Sequence, residues 1–255
     1  MKSRILFFFF GFLLLLVAIS LMGCGDKGQP SKILVFSKTA GFRHASIVAG
    51  QEMFFELGQA NGFQVDTSED ASLFHLTNLK QYTAIVFLNT TGNILNEAQQ
   101  LALQQFMQTG GGWLGIHAAA DTEYDWSWYN ELVGAYFNGH PGNPNVRQGD
   151  LHVLVPDHPA TSHLNRVWTR FDEWYNYRDI KDFTTLIRID EDSYEGGTNG
   201  DFHPMTWCRP FENGHMFYTG LGHTAATYAE PEFRQLIIGA LQYVMKKEEA
   251  EQRAK

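Results

Sequence analysis

Two histidines stand directly behind two apolar runs of this chain. His44 lies in the loop after Lys32-Ile33-Leu34-Val35-Phe36, and His117 follows Trp113-Leu114-Gly115-Ile116. Imidazole titrates near neutral pH and ligates metals in its neutral form. Asp121 comes four residues after His117, and the loop that holds His44 also carries Arg43. Two imidazoles beside a carboxylate could supply acid–base groups or hold a divalent metal. No stretch has the spacing of a local metal signature. His203, His215 and His223 fall in separate segments, so a metal site on His44, His117 and His223 would have to be assembled by the fold. A lone histidine at a strand end is more often a hydrogen-bonded structural residue. His44 and His117 stand out because they share one functional edge.

The elements that place them read as strands alternating with helices. Lys32–Phe36 is a short buried strand, and Ser46 is a plausible N-cap for a helix to about Asn61, stopped by Gly62. Phe63 to Asp66 begins a second strand, and Ala84-Ile85-Val86-Phe87-Leu88 is an apolar strand of the kind buried on both faces. Asn96 with Glu97 starts a helix to about Thr109. Gly110-Gly111-Gly112 then stops that helix and turns the chain into the next strand, the wrong order for a phosphate loop. This alternation predicts an α/β fold with a doubly wound, mostly parallel sheet. Ligands then bind at the carboxyl ends of the strands, in the loops holding Arg43 and His44, Asn89, and His117 with Asp121. The second half predicts extra short strands over 149–155, 171–177, 185–189, 205–208 and 216–218. A final helix opens at Pro231. Glu173 and Tyr175, spaced two apart on one predicted strand, would share a face. The segment from His140 to Asn145 reads as a rigid surface loop, of a length that can act as a lid.

The N-terminus has the makings of an export signal. Lys2 and Arg4 precede an apolar run from Ile5 to Met22, and Leu21-Met22-Gly23-Cys24 resembles the lipobox of bacterial lipoproteins. That resemblance implies cleavage before Cys24, lipid on its sulfur and anchoring to a bacterial cell membrane on the periplasmic or surface side. The chain then divides into a signal over 1–23, a lipidated tether over 24–31, one domain over 32–245 and a charged tail over 246–255. Losing Lys2 and Arg4 takes the net charge from −9 to −11. So acidic a domain, with no basic stripe, repels phosphate backbones and excludes nucleic acid as a partner. With Cys24 acylated, Cys208 has no disulfide partner. The sequence sets no oligomeric state.

Four blocks carry a family resemblance. They are Ala40-Gly41-Phe42-Arg43-His44, the run from Gly110 to Ala119, Asp172-Glu173-Trp174-Tyr175, and the run from Gly214 to His223. In this order they resemble the trehalose-utilisation (ThuA-like) family over Lys32 to Met245. The resemblance implies the flavodoxin-like fold of class I glutamine amidotransferases. In those enzymes a Cys nucleophile sits on a strand-to-helix turn, where here Gly115-Ile116 is followed by His117. Thiol amidotransfer is thereby excluded.

What the resemblance implies about function is carbohydrate metabolism, with glycosides or 3-keto sugars as substrates. A 3-keto sugar has an acidic proton at C2, and removing it permits elimination of the anomeric substituent followed by hydration, or isomerisation. Such a lyase, hydrolase or isomerase needs a base and an electrophile at the ketone oxygen. His117 or His44 could be the base. Arg43 or a divalent metal could stabilise the oxyanion. Asp121 and Glu173 could ligate, orient an imidazole or accept sugar hydroxyls, while Tyr175 and Trp126 suit sugar faces. Asn89 and His223 complete the candidate site. The rival reading is a non-catalytic carbohydrate-binding lipoprotein.

Overall fold

The computed structural model describes residues 30–246. The signal, Cys24, most of the tether and the tail beyond Lys246 lie outside the described residues. Among those described, no helix is long and apolar enough to cross a membrane.

In chain order the elements are β1 (Lys32–Phe36), α1 (Ile47–Asn61), β2 (Gln64–Ser68), α2 (Leu76–Leu79), β3 (Ala84–Leu88), α3 (Glu97–Gln108), β4 (Gly112–Ile116) and α4 (Ser127–Val133). They continue as β5 (Tyr136–Phe137), β6 (Val146–Val153), β7 (Val167–Glu173), β8 (Tyr177–Arg178), β9 (Thr184–Asp190), β10 (Pro204–Phe211), β11 (Gly214–Thr219) and α5 (Pro231–Val244). Nine strands form one sheet in the order β2-β1-β3-β4-β11-β10-β9-β6-β7. The first five are parallel and have the flavodoxin-like order, with the switch point between β1 and β3. The extra strands of the second half extend this same sheet with antiparallel pairs, while β5 and β8 pair apart. The expected mostly parallel sheet therefore describes the half that carries the switch point.

Every residue of β3 and β4 is buried, as expected of parallel strands covered on both faces. The glycines before β4 show how tightly. A Cβ on Gly111 would strike the Phe106 ring of α3, and one on Gly112 would lie 2.2 Å from the Val244 carbonyl oxygen of α5. Adjacent residues point to opposite faces, so α3 and α5 cover opposite sides of the sheet. Gly110, at φ +92°, makes the turn after α3. Gly112→Ala has to displace the Val244 backbone and its Cβ, and is expected to lower stability by about 1–3 kcal/mol, read as a lower urea midpoint. An unchanged midpoint would contradict the close approach.

Asn96 caps α3 with a full capping box, its side chain accepting from Gln99 N while Gln99 reaches back. Ser46 precedes α1 as expected, yet its hydroxyl makes no cap bond. It donates instead to the Gly222 carbonyl and accepts from Asn89 Nδ2.

The antiparallel half coils back over the parallel one. Three strands separate β7 from β11 in the sheet. Even so, Asp172 of β7 accepts hydrogen bonds from the backbone N–H groups of Gly222 and His223, just after β11, at 3.0 and 3.1 Å. This closure brings the end of β7, and Glu173 with it, to the carboxyl edge of the parallel strands.

Candidate functional site

Four side chains converge at that edge. His44 arrives from the loop after β1, His117 directly after β4, His223 from the loop after β11 and Glu173 from the last position of β7. One ligand atom from each lies within 4.8 Å of all the others. Glu173 Oε2 is 3.3 Å from His117 Nε2 and 3.1 Å from His223 Nδ1. The two imidazole nitrogens are 3.2 Å apart. Three nitrogen donors and one carboxylate form a set that could hold a metal ion.

His117 sits at a sharp turn. Its φ of +47° is left-handed, the backbone of a strand-to-helix elbow, and a short 3₁₀ turn follows over His117–Asp121. Tyr218 donates to the His117 carbonyl at 2.7 Å and holds this conformation. The strand-to-helix elbow expected after Gly115-Ile116 is present, with an imidazole on it.

Asn89, expected in the site, is buried beneath it. Its Nδ2 meets Ser46 Oγ, Tyr228 OH and the Gly222 carbonyl at 3.0 to 3.3 Å, and its Oδ1 faces Ala118 N. It therefore ties together the three loops that present His44, His117 and His223.

A cavity of about 390 Å³ opens above the cluster, lined by Phe42, His44, Asp121, Phe137, His140, Asn145, Glu173, Tyr175 and His223. This volume is within the range of small-molecule sites. His117 is fully buried behind its wall. Tyr175 is not on the strand with Glu173, as its spacing had implied. The strand ends at Glu173, and the Tyr175 ring packs over His117 with centroids 4.1 Å apart.

Two expected site residues point elsewhere. Arg43 makes a two-pronged surface pair with Glu69, at 2.9 and 2.7 Å, and leaves the pocket without a guanidinium. Trp126 stacks on Trp128 and Tyr129 beside α4, outside the pocket lining. His140 and Asn145, from the segment read as a surface loop, face the pocket instead. Asn145 Nδ2 donates to Glu173 Oε1 and lies 3.3 Å from His223 Nε2, while His140 Nδ1 is 3.6 Å from Glu173 Oε1. The polar residues at both ends of that loop were the only signal in the sequence.

The pocket shifts its acids and bases. Burial, then the neighbouring His117 and His223, pull His44 down to about 3, so it is a neutral imidazole at neutral pH. Burial alone would raise Glu173, but the neighbouring His117 and His223 and the Asn145 amide outweigh it and keep the carboxyl well below the usual range. Burial raises Asp121 above an ordinary carboxyl, partly offset by the 2.6 Å hydrogen bond it accepts from Tyr124.

The His44 shift has a consequence for stability. An unfolded histidine titrates near 6.5. Below that pH the unfolded chain binds the proton that folded His44 refuses, so stability falls as pH drops from 6.5 toward 3. In EDTA, between pH 7 and pH 5, His44 is expected to account for a loss of about 2 kcal/mol. Urea titrations of wild type and His44→Gln check this, and equal pH slopes for the two would contradict it.

The ThuA family model, described as trehalose utilisation, matches residues 32–244. The chain belongs to the ThuA family. A ThuA-like protein from Bacteroides uniformis is 26% identical with a TM-score of 0.70, over 84% of this chain and 91% of that one. A second, from Parabacteroides merdae, is 19% identical with a TM-score of 0.69, over 86% and 91%. A cytoplasmic protein from Salmonella typhimurium, 13% identical with a TM-score of 0.58 over 84% and 98%, shares the fold. Among curated proteins there is no match. Within this ThuA-family chain, all four blocks of the sequence resemblance converge on one edge: His44, His117, Glu173 and His223 each come from a different block.

Proposed function

We propose that this protein is an exported, lipid-anchored enzyme of carbohydrate metabolism that acts on 3-keto sugars or their glycosides by abstracting a proton next to the carbonyl. The observation that carries the reading is a sugar-sized pocket that joins a weakly acidic carboxyl to a His/Glu floor. Asp121, its pKa raised by burial, is the base for the C2 proton. The electron pair left at C2 moves onto the C3 ketone oxygen, which is placed toward the His223 and Glu173 end of the pocket. As the ketone reforms, the bond from C1 to its substituent breaks, and the leaving oxygen takes up a proton from the partly exposed His140. Water adding across the new C1=C2 bond then completes a net hydrolysis, whereas delivery of a proton to C3 of the enediolate, with the C2 hydroxyl giving up its own, gives the 2-keto isomer.

Phe42, Phe137 and Tyr175 supply apolar faces for the ring, and Asn145 is placed for a hydroxyl. The elbow carries no Cys or Ser, so no nucleophile is asked of it. Export and lipid attachment at Cys24 rest on the N-terminal sequence alone.

The test is NMR of the full chain with a 3-keto-glucoside in deuterated buffer, beside Asp121→Asn. Deuterium at C2 or release of the aglycone by wild type, lost in the variant, is the expected result. Line broadening without either change favours a sugar-binding lipoprotein, and no interaction at all overturns the reading.

A further inference from the structure

The floor of the pocket holds more lone pairs than its protons can satisfy. His117 Nδ1 is 2.8 Å from the Gly220 carbonyl, which can only accept, so Nδ1 carries the proton and Nε2 turns a lone pair to the cluster. That lone pair faces Glu173 Oε2 at 3.3 Å and His223 Nδ1 at 3.2 Å, and the latter two are 3.1 Å apart. A proton on His223 Nδ1 can bridge only one edge of this triangle well. Its dimensions match another occupant. Donors bound at about 2.0 Å in a tetrahedral site stand about 3.3 Å from one another.

His44 supplies the fourth corner. It meets His117 and His223 edge-on, with ring centroids 5.0 and 5.2 Å away. Its Nδ1 is buried without a hydrogen-bond partner, in a residue only 4% exposed. An orphaned imidazole nitrogen at such a place has no structural reason on its own.

We infer that His44, His117, Glu173 and His223 bind one divalent ion of the zinc, cobalt, nickel and iron class. Three imidazoles against a single carboxylate disfavour magnesium and calcium, which take mostly oxygen ligands. The surroundings are those of a built site. The Gly220 carbonyl fixes the His117 tautomer, Asn145 holds the free oxygen of Glu173, and Asp172 pins the backbone of His223. Because His44, Glu173 and His223 also line the cavity, a fifth ligand added to the four would approach the ion from it. The ligand class for that fifth position is an oxygen donor such as a carbonyl or hydroxyl of a sugar. The inference stands on donor geometry and does not depend on the sugar chemistry.

The experiment strips the full chain with EDTA and titrates it with Zn²⁺ and Co²⁺, with Mg²⁺ and Ca²⁺ as comparisons. One Zn²⁺ per chain, a raised Tm, and a visible Co²⁺ spectrum of low coordination number are expected. Glu173→Gln and His223→Asn should each weaken binding by about 100-fold or more, while His140→Asn, which lines the same pocket, should leave it within a few-fold. No saturable binding overturns the inference, as does binding unaffected by either ligand variant. Turnover of a keto sugar by ion-free protein that also fails to bind Zn²⁺ removes the metal and leaves the sugar reading standing. Tight Zn²⁺ binding without sugar turnover does the reverse.

Discussion

Glu173→Gln is expected to lose at least about 10³-fold in turnover of a keto sugar, together with some of the stability that its depressed carboxyl lends the fold at neutral pH. Glu173 is 2% exposed and supplies the only carboxylate of the cluster. Glutamine matches its volume but removes the charge. In the ion-free protein part of the stability loss is recovered, because an amide N–H₂ can donate to the lone pair of His117 Nε2 that the carboxylate opposes. The function, in contrast, needs the anion, whether it holds a proton on an imidazole or an ion in the floor. Activity should therefore fall much further than stability. The check is kcat/KM beside a urea titration of the same sample. Activity within tenfold of wild type would sink the argument, and a large drop in stability would show that Glu173 serves mainly as a structural group.

The parallel half of the fold was legible because its signals are local. The apolar runs at 33–36 and 84–88, the stop at Gly62 and the cap at Asn96 each report a physical need of a few neighbouring residues. The loops holding His44 and His117 followed from the rule for strand ends. No local signal joined His223 and Glu173 to the strand-end histidines, since they reach the cluster by long-range closure of the sheet. Nothing in the sequence near Asp172 says that its carboxylate meets backbone groups 50 residues on. For the same reason Arg43 looked available to the pocket until Glu69, the residue directly after β2, proved to hold it at the surface. Asn89 presented a polar side chain at the right edge, and only its buried partners reveal that it joins loops and does not face the pocket.

The same closure makes Asp172 the position whose loss should cost the most stability. Asp172→Ala is expected to destabilise by about 3–5 kcal/mol, the range for breaking one partner out of a buried ion pair. Fully buried, the carboxylate accepts from Gly222 N, His223 N and its own neighbour Glu173 N, and from Thr227 Oγ1 at 3.2 Å. It also faces Arg170 Nη2 at 3.2 Å. Removing it leaves two loop N–H groups unsatisfied and a buried guanidinium with one remaining carboxylate, the partly exposed Glu230. Arg170 can ill spare the partner, because its Nε and Nη1 already lack hydrogen bonds. Asp172→Asn should cost less, since its carbonyl oxygen can still accept from His223 N, and pairing either change with Arg170→Met should recover part of the loss by removing the stranded charge. Position, not only stability, is at stake. His223 is presented by the backbone that Asp172 grips, so Zn²⁺ binding should weaken in Asp172→Ala even at temperatures where the protein stays folded. Urea unfolding of the single and double variants, with Zn²⁺ titrations beside them, separates the two effects. A midpoint close to wild type in Asp172→Ala would mean that the coiled antiparallel half is held down by its apolar contacts, and that the β7 to β11 tether is incidental to the site.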